Sequence, residues 1–282
     1  MYVVSTPIGN LEDITLRALN VLRDVAMIVA EDTRHTAKLL SRFEIRNRLI
    51  SCHDYNEKSR VQEILGHIEN GEAVAMVTDA GTPTVSDPGF LLIRTAIERG
   101  IPVHPVPGVS AAITAVSVSG FPTDAFIFIG FPPKKQGRRK AQLKTLAPET
   151  RTLIFYESPK RIASFIHELK MTFGDRPAVL GREMTKIHEE FLRGTLSEIA
   201  DVLEERPVIK GECTLVVAGA SDELPCSEEL LASEISRGLK SQSLKPSALA
   251  KHIAKMTGIP RKTVYDEILK QMEGRSAGEE DA

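Results

Sequence analysis

TDAGTPTVSDPG, residues 78–89, follows the apolar run AVAMV at 73–77 and precedes FLLIRTAIERG at 90–100. The run before it has the continuous apolar character of a strand buried on both faces. The segment after it has helical spacing and ends on glycine. A strand, a turn dense in glycine and proline, then a helix is the unit from which parallel sheets are assembled. The loop sits at the carboxyl end of its strand, where α/β sheets form their ligand crevices. Glycine lets the backbone approach a ligand closely, and proline lowers the entropy cost of holding one loop shape. A plain tight turn ahead of the helix is the competing explanation. The letters GTP within it carry no phosphate signature, because GxxxxGK[ST] does not occur in the chain.

The same unit recurs on both sides. YVVS (2–5) reads as a strand, with the loop PIGNLED and a helix from about Thr15 to Leu22 after it. MIVAED (27–32) is strand-like and leads into a helix through Lys38 to Arg42. Val61, Ile64, Leu65 and Ile68 give residues 57–69 a helical spacing. VHPVPG (103–108) and SAAITAVSVSG (110–120) add a short strand and a helix of small residues. Alternation of this kind predicts a parallel or mostly parallel sheet over a first α/β domain, residues 1–118. From about residue 121 strands become denser: AFIFIGF (125–131), TLIFYES (152–158), AVLGRE (178–183), EEFLRGTL (189–196) and ECTLVVAGA (212–220). Helices fit at 137–146, 159–172 and 196–205. This predicts a second α+β domain, residues 119–222, with a mixed or antiparallel sheet. SDELPCS (221–227) reads as a linker. A helical module follows at 228–272, with helices at 228–240, 246–256 and 260–272, and a disordered polar tail at 273–282.

The composition sets bounds. The chain has 282 residues, 42% hydrophobic and 26% charged, with a formal net charge of −2. Global charge therefore announces no nucleic-acid partner, although a local basic patch remains compatible with it. Cys52, Cys213 and Cys226 are far apart and without a histidine cluster, which predicts neither a zinc site nor a disulfide framework. No run approaches the length of a membrane span, and MYVVSTPIGN lacks the basic and apolar regions of a signal peptide, so a cytoplasmic protein is expected.

Three strand-end loops, STPIGNLED (5–13), the opening loop and PVPGVSAA (105–112), are rich enough in proline and glycine to line one cleft. EDTRHT (31–36) ends the second strand; helix capping accounts for Asp32 or Thr33 but not for Arg34 and His35. His35 and His53 lack metal-ligand spacing, so no metal is expected. KKQGRRKAQLK (134–144) carries six basic residues and no acidic one, either as a solvated loop or as a phosphate-backbone contact. KPSALAKHIAKMTGIPRKTVYDEIL (245–269) resembles a helix-turn-helix, with Ala250 at the crossing, Gly258 in the turn, Pro260 opening the next helix, and Val264 and Ile268 inward. A three-helix docking module fits as well.

STPIGNLEDIT, AEDTRHT, DAGTPTVSDPG, VPG with SAAITA, RTLIFYES and REMTK together resemble the bacterial ribosomal RNA small-subunit methyltransferase I family. These proteins belong to the tetrapyrrole methylase superfamily, the class III S-adenosylmethionine methyltransferases. The resemblance runs over about residues 2–220. It implies two α/β domains with mixed sheets around a cleft for S-adenosylmethionine, and a homodimer. It also implies 2′-O-methylation of a cytidine in the decoding region of 16S ribosomal RNA within the small subunit. Carried over by position, it places cofactor contacts at Ile8 and Gly9, at Ala80, Gly81, Thr82 and Val85, at Ser110 and Ala111, and at Tyr156, Met184 and Ala218. Thr82 stands where the superfamily often has aspartate, so this loop is expected to bind through its backbone. STPIGN replaces a G-x-G-P-G-D loop and argues against a tetrapyrrole substrate.

A 2′-hydroxyl is a poor nucleophile and gains from a base or a polarising group. Asp32, Arg34, Glu157 and Glu183, at strand ends expected to face the cleft, are the catalytic candidates. Lys134, Lys135, Arg138, Arg139, Arg182 and Lys186 are the RNA candidates, with Phe155, Tyr156 and Tyr55 as stacking aromatics. Two other functions compete: methylation of a precorrin-like tetrapyrrole, and DNA-binding regulation through the C-terminal helices.

Overall fold

The computed structural model describes residues 1–53, 55–221, 235–239, 246–257 and 261–279. It forms two compact units, Met1–Gly219 and Ala220–Ala282.

The first unit contains two five-stranded sheets. The first sheet has β1 (Tyr2–Val4), β2 (Met27–Ala30), β3 (Leu49–Ser51), β4 (Val74–Val77) and β5 (His104–Val106) in the order β3-β2-β4-β1-β5. All its pairings are parallel, as the strand–helix alternation implied. Helices α1 (Leu16–Asp24) and α2 (Thr33–Arg42) cover one face. Helices α3 (Glu57–Glu69) and α4 (Phe90–Glu98) cover the other. Both faces are thus apolar, and β2 and β4 are buried at every position. The three-residue β3, LIS at a sheet edge, is too short to show a period in the sequence.

The second sheet holds β6 (Phe126–Gly130), β7 (Thr152–Glu157), β8 (Pro177–Arg182), β9 (Glu190–Thr195) and β10 (Cys213–Val217) in the order β6-β7-β10-β8-β9. Only β6 and β7 run parallel; β10 is antiparallel to both β7 and β8. Side chains alternate across it. Leu153 and Phe155 of β7 pack with α7 (Ile162–Phe173) and α8 (Leu196–Glu204), while Ile154 and Tyr156 face α5 (Ala111–Ser117). Phe155 is therefore fully buried and does not serve as a stacking aromatic. Helix α6 (Gln136–Leu146) contributes Leu143 to the same core. Helix α7 starts at Ile162, later than the expected 159, because Ser158 to Lys160 form a turn whose Ser158 carbonyl accepts from the Arg161 and Ile162 amides.

In the second unit, α9 (Pro246–Thr257) and α10 (Arg261–Glu279) bury Leu249, Ala250, Ile253, Val264 and Ile268 together with Ile235. The inward faces expected of Ala250, Val264 and Ile268 are present. Gly258 and Pro260, most of the 221–227 linker and residues 228–234 lie outside the described residues. Helix α10 runs past the expected 272 to Glu279, since no proline interrupts it; of the expected tail, 280–282 lie outside the described residues.

Candidate active site

Because every strand of the first sheet is parallel, all its carboxyl ends open on one edge. β1 and β4 are neighbours, so the loops that follow them lie side by side. Thr6 and Gly81 exchange two backbone hydrogen bonds, at 2.9 and 3.0 Å. Gly81 has φ +80°, a conformation that L side chains rarely adopt. The Thr82 hydroxyl bonds the Ser5 hydroxyl at 3.0 Å and donates to the Val109 carbonyl at 3.1 Å. One side chain thus ties together the loops after β1, β4 and β5. Thr82 has a structural task beyond the backbone role expected of its loop. Further along, Thr84 and Ser86 both hold φ +70°, so the loop carries backbone strain where it faces the cleft.

The second sheet supplies the opposite wall. The Tyr156 hydroxyl accepts the Ala112 amide at 3.0 Å, fixing the end of β7 to the start of α5. Burial pushes the Tyr156 phenol up. Its ring meets Phe128 and Phe131 edge-on, at 4.9 and 5.5 Å between centroids. Beyond it the buried Glu157 accepts the Arg161 guanidinium at 2.9 Å and the Ser158 amide at 2.6 Å.

These walls enclose a cavity of about 320 Å³. Of the expected cofactor contacts, Ile8, Ala80, Gly81, Thr82, Val85, Ser110, Ala111, Tyr156 and Met184 line it together, as does Glu157. Phe131, Asp87, Ser158, Pro159 and the segment Gly211–Thr214 line it as well. Among the described residues, three carboxylates, Asp87, Glu157 and Glu212, belong to the lining and no lysine or arginine does. An apolar, acid-edged cavity of this size suits a small cationic ligand with an apolar body. The site carries no cluster of metal-ligating side chains among the described residues.

Other expected site residues fall elsewhere. Ala218 lies at the far end of β10: the antiparallel register pairs Cys213 with Glu157 and Val217 with Leu153, so the start of β10 reaches the cavity. Gly9 lines an adjoining cavity, pressed against the turn after β8, where an added Cβ would sit 2.7 Å from the Thr185 hydroxyl. Asp32 caps α2 through the Arg34 amide at 2.8 Å and pairs with the Arg34 guanidinium at 2.6 Å; neither residue lines the cavity. The Arg34 hydrogen bonds hold the Asp32 carboxyl far below the usual carboxylate range, so it is a poor proton acceptor. Asp32→Asn keeps a capping oxygen and is expected to leave kcat for methyl transfer within a few-fold of the parent.

Glu183 turns away from the cavity. It has φ +51°, accepts Lys186 at 2.8 Å and the Glu212 amide at 3.0 Å, and its pKa is lowered chiefly by Lys186. Gly211 packs against the Glu183 side chain, leaving no room for a Cβ. Lys186 also pairs with Glu212 at 3.1 Å. Arg182 is held by Glu190 at 2.8 Å and by the Lys210 carbonyl. Arg139 makes two bonds to Glu168 and two more to the Pro133 and Lys134 carbonyls. Arg139 and Arg182 thus each brace elements around the second sheet. Lys134, Lys135 and Arg138 remain exposed.

The profile of the Tetrapyrrole (Corrin/Porphyrin) Methylases matches residues 1–200. A protein of Xylella fastidiosa named ribosomal RNA small subunit methyltransferase I is 46% identical, covering 94% of this chain and 97% of its own length. The protein of that name from Micromonospora olivasterospora is 43% identical over 95% of this chain and 86% of its own. That of Thermotoga maritima is 47% identical over 98% of its own length but 78% of this chain, so about a fifth of this chain finds no match there. Among solved structures, the methyltransferase CobJ superposes with a TM-score of 0.60 at 18% identity, over 78% of this chain and 94% of its own. Uroporphyrin-III C-methyl transferase of Thermus thermophilus, complexed with S-adenosyl homocysteine, gives 0.56 at 19% identity, over 76% and 95%. At such identities these likenesses bear on the fold alone.

Proposed function

The chain belongs to the ribosomal RNA small subunit methyltransferase I family, within the tetrapyrrole methylases, and from that premise we propose that it methylates small-subunit ribosomal RNA with S-adenosylmethionine. The proposed acceptor is the 2′-hydroxyl of a cytidine in the decoding region of 16S RNA, as the motif resemblance implies. The observation that carries the cofactor assignment is the convergence of three strand-end loops and the β7 end on one acid-edged cavity. S-adenosylmethionine, when bound there, supplies a methyl group already activated on a sulfonium.

The chain's own residues then have three tasks. Ile8, Met184 and Tyr156 give apolar walls that exclude water from the donor. The Gly81 turn offers backbone groups at close range, and the carboxylates along the edge favour a cation. The rigid loops hold the donor while the acceptor oxygen is brought into line, and alignment of this kind supplies much of the rate in a displacement reaction. Asp32 and Glu183 are both engaged in ion pairs, so we assign the chain's main contribution to alignment rather than to proton abstraction.

Transfer of labelled methyl from S-adenosylmethionine to isolated small subunits, to free 16S RNA and to a porphyrinogen, with the modified position mapped, tests the proposal. We expect one 2′-O-methyl cytidine in the ribosomal arms and no transfer to the porphyrinogen. Transfer to the porphyrinogen alone would return the chain to the tetrapyrrole reading. Neutralising Lys134, Lys135 and Arg138 together is expected to weaken subunit binding at unchanged donor affinity. The slope of log affinity against log salt should fall by about 0.7 for each phosphate that is no longer neutralised. An unchanged slope would remove this loop from the RNA surface.

A further inference from the structure

A second cavity, of about 400 Å³, adjoins the first and shares Ile8, Ala80 and Glu212 with it. Its lining carries basic groups that the first cavity lacks, beside the carboxylates of Asp79 and Glu212. Helix α2 contributes His35 and Lys38, one turn apart, to its wall. Both are exposed, and among the described residues neither side chain has a hydrogen bond or an ion pair. Lys186 also lines it, but is already paired with Glu183 and Glu212. On the sheet side Thr78 is 1% exposed, and its hydroxyl has no hydrogen-bond partner. A buried hydroxyl without a partner costs free energy unless something else satisfies it, which marks it for a ligand.

We propose that this cavity seats the acceptor nucleotide of the RNA, with His35 and Lys38 on its phosphodiester and the Thr78 hydroxyl on its sugar or base. The inference rests on the proposed RNA methyltransferase function and names where its substrate is held. A cationic donor is favoured on the acid-edged side of Ile8 and Ala80, and an anionic strand on the side with unpaired basic groups. Among the described residues, the basic side chains without a partner then lie on the strand's side of the shared wall, and none lines the donor's side. This also gives AEDTRHT a function: Asp32 and Arg34 cap and brace α2, and α2 in turn presents His35 and Lys38.

The test uses the full chain with small subunits and S-adenosylmethionine. In His35→Ala/Lys38→Ala we expect the KM for subunits to rise about tenfold and the salt slope to fall by about 0.7, the share of one phosphate. Thermal stability and the calorimetric Kd for S-adenosylmethionine should stay at parent values, and Lys38→Arg should keep most of the parent KM. Thr78→Val removes a hydroxyl that bonds nothing, so we expect an unchanged or higher melting temperature and a raised subunit KM. Parent-like KM and salt slope in the double variant, or a donor Kd that weakens in step with KM, would overturn the assignment of this cavity. A parent protein that binds the donor and methylates no ribosomal RNA would instead overturn the function on which it rests.

Discussion

Gly81→Val is expected to raise the Kd for S-adenosylmethionine by about two orders of magnitude. Space alone does not require glycine: an added Cβ would meet Ile8 at 3.7 Å, an ordinary contact. The backbone does. At φ +80° a β-branched residue is a steric outlier, and holding one there costs about 3 kcal/mol, or roughly a hundredfold in an equilibrium. The chain escapes that strain only by moving φ, which breaks the paired hydrogen bonds between Thr6 and Gly81. Ile8 and Ala80, which stand on either side of that bridge, would then leave the cavity wall. Gly81→Ala should lie between, near tenfold, because alanine tolerates the left-handed region better than valine. Thr82→Ala is the control within the same loop. It removes two hydrogen bonds that brace three loops and should cost about 1 kcal/mol of stability, with a smaller change in Kd. Titration calorimetry on the four proteins gives the order. A Gly81→Val protein with parent affinity would take this loop out of the cofactor site.

The strand-end loops were legible because their information is local. Proline and glycine at the ends of apolar runs mark both the strand and the turn, and a parallel sheet brings all such ends to one edge. What stayed hidden depends on pairing between distant segments. The direction of β10 decides whether Gly211–Thr214 or Ala218 reaches the cavity, and ECTLVVAGA reads alike in both directions. Antiparallel pairing with β7 selects the start of the strand, which leaves Ala218 at the end away from the cavity. The alternation of β7 assigns Phe155 to the core and Tyr156 to the cleft, but the side each residue takes is set by which helices cover each face. Charge was the least legible. Arg139 belongs to a basic run in sequence, yet Glu168, one helix away, engages it; Arg182 and Glu183 find Glu190 and Lys186 in the same manner. A sequence shows how many charges a segment carries, while the partners that neutralise them come from the fold. His35 and Lys38 stand out for the same reason, as basic groups that have no partner among the described residues.

Arg161→Ala is expected to destabilise the protein by about 2–3 kcal/mol, less than the loss of a partner in a wholly buried pair because Arg161 is itself partly solvated. The Glu157 side chain is 1% exposed and that of Arg161 31%, so the carboxylate is the group that cannot exchange its partner for water. Without the guanidinium, the Ser158 amide is the donor that remains to it. The turn from Ser158 to Lys160 is then tied to Glu157 through the Ser158 amide and no longer through Arg161, and Ser158 and Pro159 line the cavity. Donor affinity should therefore fall along with stability. Glu157→Gln separates the two causes. In the double variant no charge is left buried at this pair, so Glu157→Gln/Arg161→Ala should be more stable than Arg161→Ala alone, while the cavity edge loses a carboxylate that favours the cation. Denaturant unfolding measures the first effect and calorimetry the second. If the double variant is no more stable than Arg161→Ala, the lost stability comes from the arginine's packing and not from an abandoned charge. If it is more stable yet binds the donor no better, the carboxylate at the end of β7 acts on the ligand directly, and Arg161 is the residue that makes a buried carboxylate tolerable at the edge of the cavity.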